Sequence, residues 1–233
     1  MRFNDLTLIL PTLNEEKSVY ALVSSLRRQY PDARLIIVDD GSTDKTESIV
    51  RGMSGSDKNV AIIERRGKRK GLTRSVIDGI LRSRTRFVVV MDADLQHPPE
   101  TVGRIYSSLS SGFDMSIAVR NRVENWPLYR KMVSKSLGTI GLAVLLATRK
   151  KTSSDIFSGF FGMRRELAVS LIRDNCGRFV GEGYKVLFDI LKCIDRRAMV
   201  RMSEIPYTFR QREFGSSKAG AKQVLALFRS FLS

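Results

Sequence analysis

RFVVVMDADLQHPPE, residues 86–100, passes within fifteen residues from a β-branched run to an acidic knuckle and then to a proline pair. Valines without polar alternation suit a strand buried on both faces, and Pro98 and Pro99 suit the opening of a helix. Strand, loop and helix in that order form the unit from which parallel sheets are built. Upstream the rhythm repeats. LTLIL (6–10), RLIIVD (34–39) and NVAII (59–63) read as short strands, separated by the helical spacings of EEKSVYALVSSLRRQ (15–29), DKTESIVRGM (44–53) and GLTRSVIDGILRSR (71–84). Downstream, PPETVGRIYSSLSSG (98–112) and FDMSIAV (113–119) continue it. The expected fold class is α/β, a Rossmann-like, mostly parallel sheet flanked by helices.

After Arg120 the rhythm breaks. Residues 123–151, VENWPLYRKMVSKSLGTIGLAVLLATRKK, read as one or two amphipathic helices. SDIFSGFFGMRREL (154–167) reads as a short strand turning into a helix, GYKVLFDILKC (183–193) as a helix, and AMVRMSEIPYTF (198–209) as a last strand. The tail 219–233 places Val224, Leu227, Phe228 and Phe231 at helical spacing. Without repeats, low-complexity segments or linkers, residues 1–233 are expected to be a single domain, with a nucleotide-binding half over 1–120 and an acceptor-binding half over 121–233.

The chain is 233 residues long, 42% hydrophobic and of net charge +16. It can fill a core, so it is no disordered basic tail, and its charge asks for an anionic partner such as a nucleotide, anionic lipid or nucleic acid. Nucleic acid is the weakest of these: interleaved aromatics and a recognition helix are missing, and an acidic cleft would repel it. No run of 18 apolar residues exists, and LGTIGLAVLLA (137–147) is too short to span a bilayer. Cys176 and Cys193 fit no metal or disulfide spacing, and no cleavable leader is apparent, so a cytosol-facing location is expected.

In open parallel sheets, ligands bind beyond the carboxyl ends of the strands. Three of the first four strands end in polar sequence there: PTLNEE, VDDGSTD and DADLQ. If the last of these stays extended, Asp92, Asp94 and Gln96 share one face and offer three hard oxygens suited to Mg²⁺ or Mn²⁺. An isolated D-x-D would as readily cap the following helix; its place at the end of a buried strand favours a site. VDDGSTD reads either as a capped turn or as an acid facing a nucleotide base or ribose, and in PTLNEE Asn14 or Glu15 reads as a cap. ERRGKRKGLTR (64–74), with six cations in eleven residues, is a solvated face or a diphosphate-neutralising loop beside the same crevice. The lone histidine, His97, reads as a loop residue or a ligand. Serine-nucleophile, Walker and dinucleotide motifs are all missing, which leaves metal and electrostatics to carry the chemistry.

Residues 6–19, 36–46, 71–80, 88–100, 123–135, 157–167, 183–191 and 204–220 together resemble the family two glycosyltransferases, most closely the archaeal-like dolichol-phosphate (polyprenyl-phosphate) mannose synthases. The resemblance implies a GT-A fold and inverting transfer of mannose from GDP-mannose to a polyprenyl (dolichyl) phosphate; UDP-glucose or another sugar nucleotide is the alternative donor. By motif, Pro11, Leu13, Glu15, Val38 and Asp40 would line the nucleoside site and Asp92, Ala93 and Asp94 would meet the donor. Asp92, Asp94 and Gln96 would hold the divalent cation. Arg120, Arg130 and Ser134 would bind the acceptor phosphate, while Arg212 and Lys218 would close over the donor phosphates. Asp94, Arg120 and Arg130 would be catalytic. The relatives' Gly-Ser-Arg is Ala-Val-Arg here, residues 118–120. The implied location is peripheral, on the cytoplasmic face of a membrane, held by the surface helices or by a membrane-embedded partner protein.

Overall fold

A computed structural model describes residues 2–67, 69–125, 127–180 and 185–212, without the side chains of Tyr129, Arg130 and Cys176. Seven strands form one sheet: β1 (Leu6–Thr12), β2 (Arg34–Asp39), β3 (Val60–Glu64), β4 (Phe87–Val90), β5 (Met115–Val123), β6 (Phe161–Arg164) and β7 (Met202–Phe209). Their order is β3-β2-β1-β4-β6-β5-β7. Strands β1 to β4 are mutually parallel where they pair, β6 runs antiparallel to both its neighbours, and β5 and β7 are parallel.

Between the strands lie α1 (Val19–Gln29), α2 (Thr46–Ser56), α3 (Leu72–Arg82), α4 (Thr101–Ser110), α5 (Leu128–Ala147), α6 (Arg165–Asp174) and α7 (Val186–Lys192). All of β1 is buried, and its alternation decides which helices cover which face. Leu8 and Leu10 pack with Leu22 and Leu26 of α1, Val50 of α2 and Val102 and Ile105 of α4. Ile9, on the other face, packs with Val76 and Ile80 of α3, Val169 of α6 and Leu187 of α7. Each fully buried leucine or isoleucine contributes about 1.5–3 kcal/mol by leaving water, so both faces are firmly covered.

Three boundaries differ from the sequence reading. Strand β4 stops at Val90, and Leu95 adopts φ 64, so the acidic knuckle is a bent loop and not an extended segment. Strand β5 continues past Arg120 to Val123, with an irregularity between Arg120 and Arg122 where it pairs with β7. Its pattern turns polar there because the strand leaves the core. Residues 128–147 form one helix, whose last turns bury Leu145 while Leu128, Met132 and Val133 at its start are exposed. No helix among the described residues is long and apolar enough to cross a membrane. Trp126, Lys218 and the tail 219–233 lie outside the described residues.

Candidate active site

The carboxyl ends of β1, β2 and β4 lie side by side, and the loops that follow them meet there. The first two lace together. Asn14, at φ 53, takes the Thr43 N–H on Oδ1 at 2.8 Å, and its own N–H donates to Ser42 Oγ at 2.8 Å. Glu15 N–H donates to Thr46 Oγ1 at 2.8 Å, and Glu16 Oε2 accepts the Lys45 N–H at 3.1 Å. Asp39 accepts the N–H groups of Gly41 (3.1 Å) and Ser42 (2.8 Å). PTLNEE and VDDGSTD therefore first build the rim of the cleft.

The residues read as nucleoside contacts lie where the β1, β2 and β4 strands end. Val38 is fully buried, opposite Pro11 in the β1–β2 ladder, and the side chain of Ala93 belongs to the core. Asp40 is buried and both its oxygens are engaged: one pairs with Arg65 Nη1, the other accepts the Gly71 N–H at 2.7 Å. Arg65 is buried too and reaches Asp78 at 2.8 Å, while Arg66 pairs with Glu47 at 2.6 Å. Arg65 thus opens the basic stretch as an internal clamp, while Arg66 stays largely exposed. Periodicity could not show this, because the carboxylate partners of Arg65 come from two separate elements, the loop after β2 and α3.

The acidic knuckle forms the floor. Asp94 is buried; its Oδ1 accepts the Gln96 N–H at 3.2 Å, and its Oδ2 accepts Arg212 Nη2 at 2.7 Å. Arg212 also lies 3.6 Å from Glu15 Oε1, so one guanidinium rests on carboxylates from two loops. Leu95 turns the chain between Asp94 and Gln96, so the period-two spacing of extended backbone does not hold across them. The Gln96 side-chain Nε2 donates to the Arg210 carbonyl at 2.9 Å, and the Gln96 carbonyl accepts the Arg210 N–H at 2.9 Å. Gln96 ties the end of β7, and with it Arg212, to the cleft floor.

Asp92 keeps 36% of its side chain exposed, yet protein surrounds it closely enough that burial, with the Asp94 charge next, pushes its carboxyl up to about 7. His97 lies in the loop between β4 and α4, as the sequence reading had it, but packed into the core. It is 1% exposed, stacked on Phe160 with ring centres 4.9 Å apart, and its Nδ1 accepts the Asp92 N–H at 3.2 Å. Burial pulls its pKa down to about 4, so the ring stays neutral and can accept that bond.

Residues 155–160 were legible only as the approach to a strand, and they organise the far wall. Asp155 accepts Arg120 Nε and Nη2, each at 2.7 Å, in a bidentate pair. Gly159 lies directly against Asp92: a Cβ there would come within 2.8 Å of Oδ2. Its backbone is not in a conformation reserved for glycine, so alanine would fold but push the carboxylate aside. Gly159→Ala is expected to cut turnover about 10²-fold, the typical cost of misplacing a reacting geometry, with an unchanged melting temperature. Wild-type turnover in that variant would show that Asp92 tolerates displacement. Ser134 is half-buried on α5; Arg130 lies on α5 with its side chain outside the described residues.

The donor set fits a hard divalent cation. Asp92 and Asp94 are oxygen donors crowded into one cleft, one is disfavoured as an anion, and a guanidinium already rests on the other. Among the described residues no three His, Cys, Asp or Glu side chains converge into a cage. A cation there would complete its shell with water and substrate phosphate, as Mg²⁺ commonly does.

An open α/β sheet whose strand order reverses between β1 and β4, with acidic loops after those strands, defines a ligand-binding cleft at the strands' carboxyl ends. The family model described as glycosyl transferase family 2 matches residues 7–171, and the chain belongs to that family. A dolichol-phosphate mannosyltransferase of Pyrococcus furiosus is 34% identical over 229 residues, 96% of this chain and 61% of that protein. The chain thus spans about three fifths of that relative. A dolichol-phosphate mannosyltransferase of Saccharomyces cerevisiae is 30% identical, covering 94% of this chain and 82% of its own. A crystal structure of glucosyl-3-phosphoglycerate synthase from Mycobacterium tuberculosis, in complex with Mn²⁺, uridine diphosphate and phosphoglyceric acid, superposes with TM-score 0.72 at 20% identity. It covers 99% of this chain and 78% of that one. That likeness supports the GT-A-like fold alone.

Proposed function

We propose that this glycosyltransferase moves mannose from GDP-mannose to a polyprenyl phosphate, with inversion at the anomeric carbon. The observation that carries the reading is the carboxylate pair, Asp92 and Asp94, with Arg212 resting on Asp94 and Arg120 fixed by Asp155 nearby in the same sheet; the relatives' names supply the mannosyl group and the dolichol-phosphate acceptor. Asp92 and Asp94 would hold Mg²⁺ or Mn²⁺, which when bound stabilises negative charge on the departing diphosphate. A phosphate monoester is largely ionised at neutral pH, so the attacking group requires no general base. That accounts for a cleft whose only histidine is neutral and spent on the Asp92 N–H.

The chain's own task is then positioning. Asp155 fixes the Arg120 guanidinium, so the acceptor phosphate meets an oriented cation, aided by Arg130 and Ser134 of α5. Arg212, carried in by β7 and held by Gln96 through Arg210, serves the donor phosphates, with Lys218 beyond it. A transfer assay offering GDP-mannose, GDP-glucose and UDP-glucose, each with polyprenyl phosphate, tests the donor; equal or better transfer from UDP-glucose overturns it.

The exposed start of α5 bears on the membrane. Leu128 (73% exposed), Met132 and Val133 share it with the exposed Lys131 and Lys135. Apolar groups beside cations suit an anionic lipid surface, each cation adding about 1 kcal/mol. Co-sedimentation with phosphatidylserine vesicles is expected at low salt and should weaken in Leu128→Ser/Met132→Ser; equal binding by that variant removes α5 from the interface.

A further inference from the structure

Lys185 immediately precedes α7, in which every residue is buried. Its Nζ donates to the Phe157 carbonyl at 3.3 Å and lies 5.5 Å from the centre of the Phe157 ring. Phe157 sits midway between Asp155, which grips Arg120, and Gly159, which abuts Asp92. Three parts of the cleft are therefore joined through one five-residue segment, and Lys185 is anchored at its middle. Lys185 itself is only partly exposed, and its anchor on the Phe157 carbonyl sets the ammonium beside the segment that bears Asp155 and Gly159.

The cleft draws its cations from separate elements. Arg212 enters from β7 and rests on Asp94 and Glu15. Lys185 stands at the start of α7, anchored on the wall that carries Asp155, the partner of Arg120. An attacking phosphate monoester brings a charge of about −1.5 to −2, and Arg120 already shares its charge with Asp155. One more cation on that wall is what such a group requires.

We propose that Lys185 is a further catalytic residue, its ammonium binding an oxygen of the attacking phosphate. This rests on the reading of the acceptor as a polyprenyl phosphate. Lysine suits the task because its ammonium is a compact point charge with three donors on a flexible stem, able to keep the Phe157 carbonyl and add a phosphate oxygen.

The test compares the full wild-type chain with Lys185→Met and Lys185→Arg, measuring kcat and KM for GDP-mannose and polyprenyl phosphate separately, with melting temperatures alongside. Lys185→Met is expected to lower kcat/KM for the polyprenyl phosphate about 10²-fold, the usual loss for one charge-stabilising donor, while the donor KM stays within about twofold. Lys185→Arg should recover at least about tenfold of it, which a purely structural lysine would not explain at unchanged melting temperature. A Met variant within twofold of wild type overturns the proposal, as does a loss seen mainly in the GDP-mannose KM or one that Arg leaves unrestored. Should the wild-type chain itself transfer nothing to polyprenyl phosphate, the functional reading fails instead, and the two failures are told apart by that control.

Discussion

Asp94→Ala is expected to lower sugar transfer by about 10³-fold or more while the protein remains folded. Asp94 is the point where the cleft's opposing charges meet: Oδ2 takes the Arg212 guanidinium, and Oδ1 closes the turn to Gln96. Alanine removes both, together with one of the two carboxylates that would hold the cation. Asp94→Asn separates these contributions, because an amide oxygen can keep the Gln96 turn without the charge. If charge is what matters, Asn will be nearly as inactive as Ala and extra Mn²⁺ will not rescue it. Near-normal activity in Asp94→Ala would remove the carboxylate pair from the mechanism.

The second large effect is on stability. Arg120 and Asp155 retain only 15% and 12% exposure of their side chains. Arg120→Ala leaves a buried carboxylate without its counter-charge, at a cost of about 3–5 kcal/mol. The pH dependence carries a definite sign. Burial acts to raise the Asp155 pKa, but the hydrogen bonds and charge of Arg120 outweigh it and hold the carboxyl below its ordinary 3.8. The stability Asp155 contributes is therefore fully present above pH 3.8 and is lost as pH falls through the depressed value. In Arg120→Ala the upward push of burial is opposed by the weaker charge of Lys185 in place of the Arg120 pair, so the variant is destabilised most at neutral pH and recovers as acid protonates Asp155. Denaturant melts at pH 7 and pH 4 check this: the gap between wild type and variant should shrink in acid. A gap that is constant with pH would mean that Asp155 is not the group left stranded.

The strands were readable because burial on both faces leaves a continuous apolar run, and the edge that bears the site was readable because three such runs end in polar sequence. Asp92 and Asp94 were found on that logic. The extended backbone that period-two reasoning assumes does not reach Gln96, because the left-handed Leu95 turns the chain. The burial of Val38 and the ion pair of Asp40 with Arg65 were not visible along the chain, because both depend on contacts between separate elements. Asp155, Gly159 and Lys185 escaped notice because their roles come from close approach between β5, the loop before β6 and the start of α7. A glycine between phenylalanines, in FSGFFG, was the one local sign that something must come near.

The central claim is that this cleft joins mannose to a lipid phosphate through a cation held by Asp92 and Asp94. The most direct measurement incubates the purified chain with radiolabelled GDP-mannose and detergent-dispersed polyprenyl phosphate, with Mg²⁺ or Mn²⁺ and again with EDTA, and counts label extracted into organic solvent. A labelled lipid should form with the cation and be lost with EDTA. Label that stays in the aqueous phase, or a lipid product that forms equally well in EDTA, would contradict the account.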